Sequence, residues 1–66
     1  MKEERSLRLK RLGARIKFAR ITAKITQAKL AERVGIEETE VWRIETGQVE
    51  MKVLTYLDIC DVLNLN

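Results

Sequence analysis

Residues 26–47 read TQAKLAERVGIEETEVWRIETG. Thr26 is placed to cap a helix, because its hydroxyl can accept a free N–H of the following turn. The spacing predicts a short helix over Gln27–Val34, with Leu30, Ala31 and Val34 facing inward. Gly35 then supplies a positive φ that ends the helix at little cost. Ile36 resumes the apolar pattern, and a second short helix is predicted over Glu38–Glu45 with Val41 and Ile44 inward. Gly47 stops it. Ala31 is small enough for the two helices to cross closely beside it.

Outward from this stretch the chain stays helical. There is no Pro, and β-branched residues never alternate over the length of a strand. Before it, Leu9, Leu12, Ile16, Ala19 and Ala23 form one stripe of a helix from about Ser6 to Thr22 or Ala23. After it, QVEMK (residues 48–52) reads as a loop. Val53, Tyr56, Ile59, Cys60 and Leu63 then share one side of a last helix, Val53–Leu63. Asn64 can take the left-handed cap, and Leu65 can fold back on that helix end. Four helices with two short ones joined by a tight glycine turn describe a helix-turn-helix.

Sixty-six residues make one small domain. A chain of this size buries only about 60 % of its unfolded surface. Cys60 is the only cysteine and there is no His, so neither a disulfide framework nor a zinc site is in prospect. Cys60 reads as a small core hydrophobe. A lone thiol with no signal peptide ahead of it suggests a reducing cytoplasm. No apolar run is long enough to span a membrane. Catalysis finds little support, with no nucleophile and base at readable spacing and no phosphate loop; no cofactor is implied.

Charge divides the chain in two. Residues 1–24 carry nine Lys/Arg against Glu3 and Glu4, a net of +7; residues 25–66 carry four basic and eight acidic side chains, a net of −4. A basic first third suggests a polyanionic partner. Lys10, Lys17 and Lys24 recur every seven residues along the flank of the first helix, where phosphates can lie. Leu7, Ala14, Phe18 and Ile21 make an apolar second face on the same helix, which suggests a dimer contact, a toxin-like partner or tighter local packing.

The quoted stretch resembles the helix-turn-helix of the Xre/Cro family of phage and bacterial repressors. That family commonly reads T-Q-x-x-L-A-x-x-x-G-[IV]-x-x-x-x-[IV]-x-x-[IL]-E-x-G. Thr26, Gln27, Leu30, Ala31, Gly35, Ile36, Val41, Ile44, Glu45 and Gly47 all match in register. LGARIKFAR, with Gly13, Ile16 and Arg20, is similar to the family's first helix, and LTYLDICDVLNL to its fourth. The similarity covers about residues 9–66, leaving residues 1–8 as a basic amino-terminal arm or helix start.

The resemblance implies an all-α, λ-repressor-like domain of four helices, or five as in many relatives, with a central helix-turn-helix. It implies a transcriptional regulator that binds double-stranded DNA sequence-specifically, cytoplasmic and nucleoid-associated in a prokaryote or phage. Repression is the expected action, the usual state a homodimer, and a toxin partner the variant, since antitoxins use the same module. Base contacts would fall to Glu37, Glu38, Thr39 and Arg43 on the third helix. Arg43 can bond O6 and N7 of guanine, a pair worth roughly 1–3 kcal/mol of discrimination. Gln27 would meet the DNA backbone. Lys10, Lys17, Lys24 and Lys29 would grip phosphates; Trp42 either lies flat on the neighbouring helix or donates its indole N–H to a phosphate oxygen. Arg20 in relatives pairs with the glutamate matching Glu45, as scaffold.

The chain also departs from the family. Glu37 stands where Ser is common, Glu38 where a polar or basic residue is, Trp42 where a small one is, and Lys24 where Gly is usual. The acids of IEETE complement a helix amino terminus, each by about 0.3–1 kcal/mol. A glutamate can also accept from cytosine N4. The opposing reading is a protein–protein interaction module on the same fold that has lost DNA binding.

Overall fold

The computed structural model describes residues 2–65. Four helices follow in order, with no strand among the described residues: α1 (Lys2–Thr22), α2 (Gln27–Val34), α3 (Glu38–Glu45) and α4 (Val53–Leu63). The last three have the bounds expected from caps and apolar spacing. α1 is longer, beginning at Lys2 rather than at Ser6. Its first turn carries Glu3 and Glu4, which suit a helix amino terminus. Glu4 accepts from Arg8 one turn on, at 3.0 Å. Arg5 donates from Nε to Glu50 Oε1 at 2.8 Å, tying this segment to the loop between α3 and α4. Residues 2–8 are therefore two turns of helix.

The core is a cluster of Ile16, Leu30, Ala31, Val41, Ile44, Ile59 and Leu63, one or two side chains from each helix. Cys60 is buried beside it as a free thiol. Two residues expected to face inward do not. Ala23 is exposed, because α1 ends at Thr22 and the chain turns away. Val53 is 73 % exposed, being the first residue of α4, ahead of the point where that helix meets the core. Tyr56 is half-buried on α4. Its phenol is held above the ordinary value chiefly by the Cys60 thiol beside it, while Arg15 of α1 pulls the other way.

All four helices end alike. An N–H two or three residues past the last helical residue bonds to the carbonyl five residues back: Ile25 to Arg20 O, Ile36 to Ala31 O, Gln48 to Arg43 O and Leu65 to Cys60 O, at 2.9–3.1 Å. Each closure needs a left-handed residue just before that N–H. Gly35 (φ 83°), Gly47 (φ 73°) and Asn64 (φ 56°) fill three of the places. Lys24 (φ 60°) fills the fourth, where its Cβ opposes the left-handed conformation. Lys24 is thus a turn residue and does not continue the lysine flank of α1.

Gly13 lies in the middle of α1 for a different reason. A Cβ there would stand 2.3 Å from Ile44 O and 2.6 Å from Glu45 O, so only glycine lets α1 lie against the backbone of α3. Two turns further along α1, Arg20 completes the contact. Its Nε donates to Glu45 Oε2 at 2.6 Å and its Nη2 to Glu45 Oε1 at 3.1 Å. Its Nη1 donates to Ile25 O at 2.9 Å, in the turn before α2. Gln27, the first residue of α2, donates its amide to Glu45 Oε1 at 3.0 Å. Arg20 and Glu45 are only 8 % and 5 % exposed. No buried side-chain N or O among the described residues lacks a partner.

Replacing Glu45 by Leu should cost about 3–5 kcal/mol, because Arg20 is left charged and buried. That is comparable to the whole stability of a domain this small. The double variant Arg20→Met with Glu45→Leu should recover most of the loss. Urea unfolding followed by far-UV circular dichroism measures both; a single variant within about 1 kcal/mol of the parent would mean that the pair does not hold α3.

Lys24→Gly should stabilise the chain by about 1 kcal/mol by relieving the left-handed strain. Tm should rise by about 4–8 °C, read at a salt concentration that screens the lost charge. An unchanged or lower Tm would rule out strain at that turn.

Candidate nucleic-acid interface

α2 and α3 are joined by three residues, Gly35, Ile36 and Glu37. A Cβ on Gly35 would meet nothing within 4 Å, so conformation alone selects glycine there. Thr26 caps α2 through its hydroxyl, which accepts from the Lys29 N–H at 3.0 Å. Glu37 occupies the same position before α3 and makes no side-chain capping bond. The first turn of α3 therefore depends on Glu38 and Glu40 offsetting its exposed N–H groups electrostatically.

α3 buries Val41, Ile44 and Glu45. At 3.6 residues per turn the opposite side is centred on Thr39 and Arg43, with Trp42 next to them. All three are exposed, Trp42 by 47 %. Arg43 Nη1 lies 4.0 Å from Glu40 Oε1, one turn back. Such an exposed pair is weak, and Arg43 can leave it for a better acceptor.

The acids of IEETE do not stand together. Glu38 lines a shallow depression with Gln27, Thr39 and Trp42. Glu37 and Glu40 line another with Ile36, Glu50, Met51, Lys52 and Thr55. Of the four residues expected to meet bases, Thr39 and Arg43 share the outer side of α3, Glu38 stands on its α2 flank beside Gln27 and Trp42, and Glu37 stands at its start toward the α3–α4 loop. Of those expected at the backbone, Gln27 and Trp42 border the same depression as Glu38. Gln27 is half-buried and has an inward task that the sequence reading did not give it, the hydrogen bond to Glu45. The residue pattern carried a signal for this, since Gln27 and Glu45 both belong to the matched motif.

Lys10 and Lys17 are exposed on the side of α1 nearest α3. Lys10 lies against Gly47, whose Cβ would meet the Lys10 backbone at 2.7 Å. Lys17 is four residues after Gly13 and three before Arg20, both of which touch α3. Neither lysine has an acidic partner within 4 Å among the described residues. Lys29 shares its charge with Glu32, 3.5 Å away. Lys24 projects from the turn between α1 and α2. The Leu7, Ala14, Phe18 and Ile21 face is exposed along the outside of α1, Phe18 by 73 %.

Among the described residues no three His, Cys, Asp or Glu side chains gather as metal ligands. No helix among them is long and apolar enough to cross a membrane. What the surface offers is a short helix with a polar, partly cationic outer side, bordered by lysines on the preceding helix. That is the arrangement by which a helix-turn-helix meets duplex DNA. Nothing among the curated proteins or the solved structures matches this chain. The family model of a helix-turn-helix domain matches residues 11–66, most of its length, and the chain belongs to that family.

Proposed function

We propose that the protein is a sequence-specific regulator of transcription of the Xre/Cro type, with α3 in the major groove of double-stranded DNA. The observation that carries this reading is the free outer side of α3, centred on Thr39 and Arg43 and held by the buried Arg20–Glu45 pair. Arg43 reads guanine, Thr39 a neighbouring base, and Glu38 accepts from cytosine N4. Glu37, at the start of α3, meets the edge of the same site. Lys10, Lys17, Lys24 and Lys29 face phosphates, and Gln27 and Trp42 donate to the backbone between α2 and α3. Occupancy of an operator represses the gene beside it. A homodimer places two copies of α3 about 34 Å apart on a pseudo-palindrome. The protein acts in the cytoplasm at the nucleoid. The exposed Phe18 face favours a protein contact as well, and a toxin bound there would make the chain an antitoxin.

Fluorescence anisotropy with random duplex DNA, titrated from low to physiological salt, tests the electrostatic part. Four phosphate contacts per copy predict a log–log slope of about −4. Lys17→Ala should flatten it by about one unit on every sequence. The opposing reading, an interaction module without DNA binding, requires no binding even at low salt.

Selection of operators from a random pool tests the reading of bases. On the selected site Arg43→Ala should cost roughly 1–3 kcal/mol and relax the preference for guanine at one position. Glu38→Gln should change the preferred base at another. If either variant keeps both affinity and preference, that residue does not read sequence.

A further inference from the structure

Two large apolar surfaces on the outside of the fold belong neither to the core nor to α3. One is the ridge on α1, Leu7, Ala14, Phe18 and Ile21, spanning about 21 Å at the rise of a helix. Between Leu7 and Ile21 there is no acidic residue. Lys10 and Lys17 flank the ridge on the α3 side, and Arg11 and Arg15 on the other, each three or four residues from a ridge residue and so adjacent to it. The second surface is the outside of α4. Val53 and Leu54 are each 73 % exposed there, and Leu57 is 48 % exposed. Asp58 and Asp61 lie beside Leu54 and Leu57 at the same spacing, and α4 holds no basic residue.

These charges form no ion pair within one copy among the described residues. Arg11, Arg15, Asp58 and Asp61 are exposed, and among the described residues none has an opposite charge within 4 Å. Packing α1 on α1 of a second copy would set basic flanks against basic flanks. Packing α4 on α4 would set the aspartates against each other. Only α1 against α4 brings unlike charges together while it covers both apolar surfaces.

We propose that a second copy of this chain is the occupant, with the α1 ridge of one copy docked on the outer face of α4 of the next. This names the surface for the homodimer suggested above and depends on that part of the reading, whereas contact of a single copy with DNA does not depend on it. Two copies joined by a pair of such contacts close as a dimer; one contact per copy propagates as an open chain. A single helix-on-helix contact is below the size of a standard interface, so it should act at high protein concentration and low salt.

Sedimentation equilibrium without DNA, at a concentration on the order of 100 µM suited to so small an interface, measures the association. The wild-type chain should show twice the monomer mass or more at low salt. It should fall back to the 7.7 kDa monomer in about 1 M salt, where screening is nearly complete. Arg11→Glu with Arg15→Glu should be monomeric, because both faces are then acidic. Asp58→Lys with Asp61→Lys should be monomeric, because both are basic. An equimolar mixture of the two variants should associate again, since each face meets its opposite on the other chain. Circular dichroism of each variant verifies that it is folded, and an unfolded pair is replaced by Phe18→Asp and Leu54→Lys in the same design. A wild type that stays monomeric, variants that associate as it does, or a mixture that stays monomeric each overturns the proposal. None of these outcomes bears on the salt titration with DNA, which uses dilute protein, and none of the association variants touches Lys10 or Lys17.

Discussion

The Arg20–Glu45 pair is the constraint on which the arrangement depends. One carboxylate receives the guanidinium of α1 and the amide that opens α2, and that guanidinium also holds Ile25 O in the turn between them. Glu45 belongs to the last turn of α3. A single buried charge thus fixes three helices at the place where the outer side of α3 must be presented. Burying two charges gives little net stability and can cost some. Its effect is on orientation, because any tilt of α3 that lengthens these bonds leaves a charge without a partner in the core. Gly13 makes the pair reachable. Were its hydrogen a methyl group, α1 could not approach the α3 backbone closely enough for Arg20 to meet Glu45.

Much of this was legible in the residues alone. The bounds of α2, α3 and α4 followed from Thr26, Gly35, Gly47 and Asn64, since caps and left-handed residues act locally and carry their own chemistry. The start of α1 did not, because the Arg5–Glu50 contact that holds its first turns joins residues far apart in the chain. Ala23 and Val53 were misplaced for a related reason. Each fits a helical stripe by spacing, but a stripe does not reveal where its helix stops meeting the core. Lys24 shows the same limit. A spacing of seven placed it on a helix flank, while the turn that follows α1 put it in the left-handed region.

The candidate site was legible in part. Spacing on α3 is enough to find Thr39 and Arg43 opposite Val41 and Ile44. It cannot tell that Glu37 and Glu40 lie toward Met51 and Lys52 while Glu38 lies toward Gln27 and Trp42, because the α3–α4 loop decides which neighbours each acid meets. The apparent conflict of three carboxylates at a phosphate surface weakens once they are separated in this way. Glu40 holds Arg43 loosely, Glu37 stands at the start of the helix, and Glu38 lies on the α2 flank beside Gln27 and Trp42, at the border of the outer side.

α1 then emerges as a helix with three surfaces. Its inner side carries Ile16, Gly13 and Arg20 and sets the position of α3. Its α3 flank carries Lys10 and Lys17 without acidic partners, so their charge is available to a polyanion. Its outer ridge carries Phe18 and its neighbours beside Arg11 and Arg15. In a chain of 66 residues with so small a core, apolar surface left outside is stability forgone unless something covers it. The opposite signs of α1 and α4 therefore bear on association as well as on DNA. In the proposed reading the basic first third faces phosphate along one flank and meets the acidic remainder of another copy along the other. On that reading the division of charge, which in the sequence points to a polyanion alone, serves two contacts of one helix.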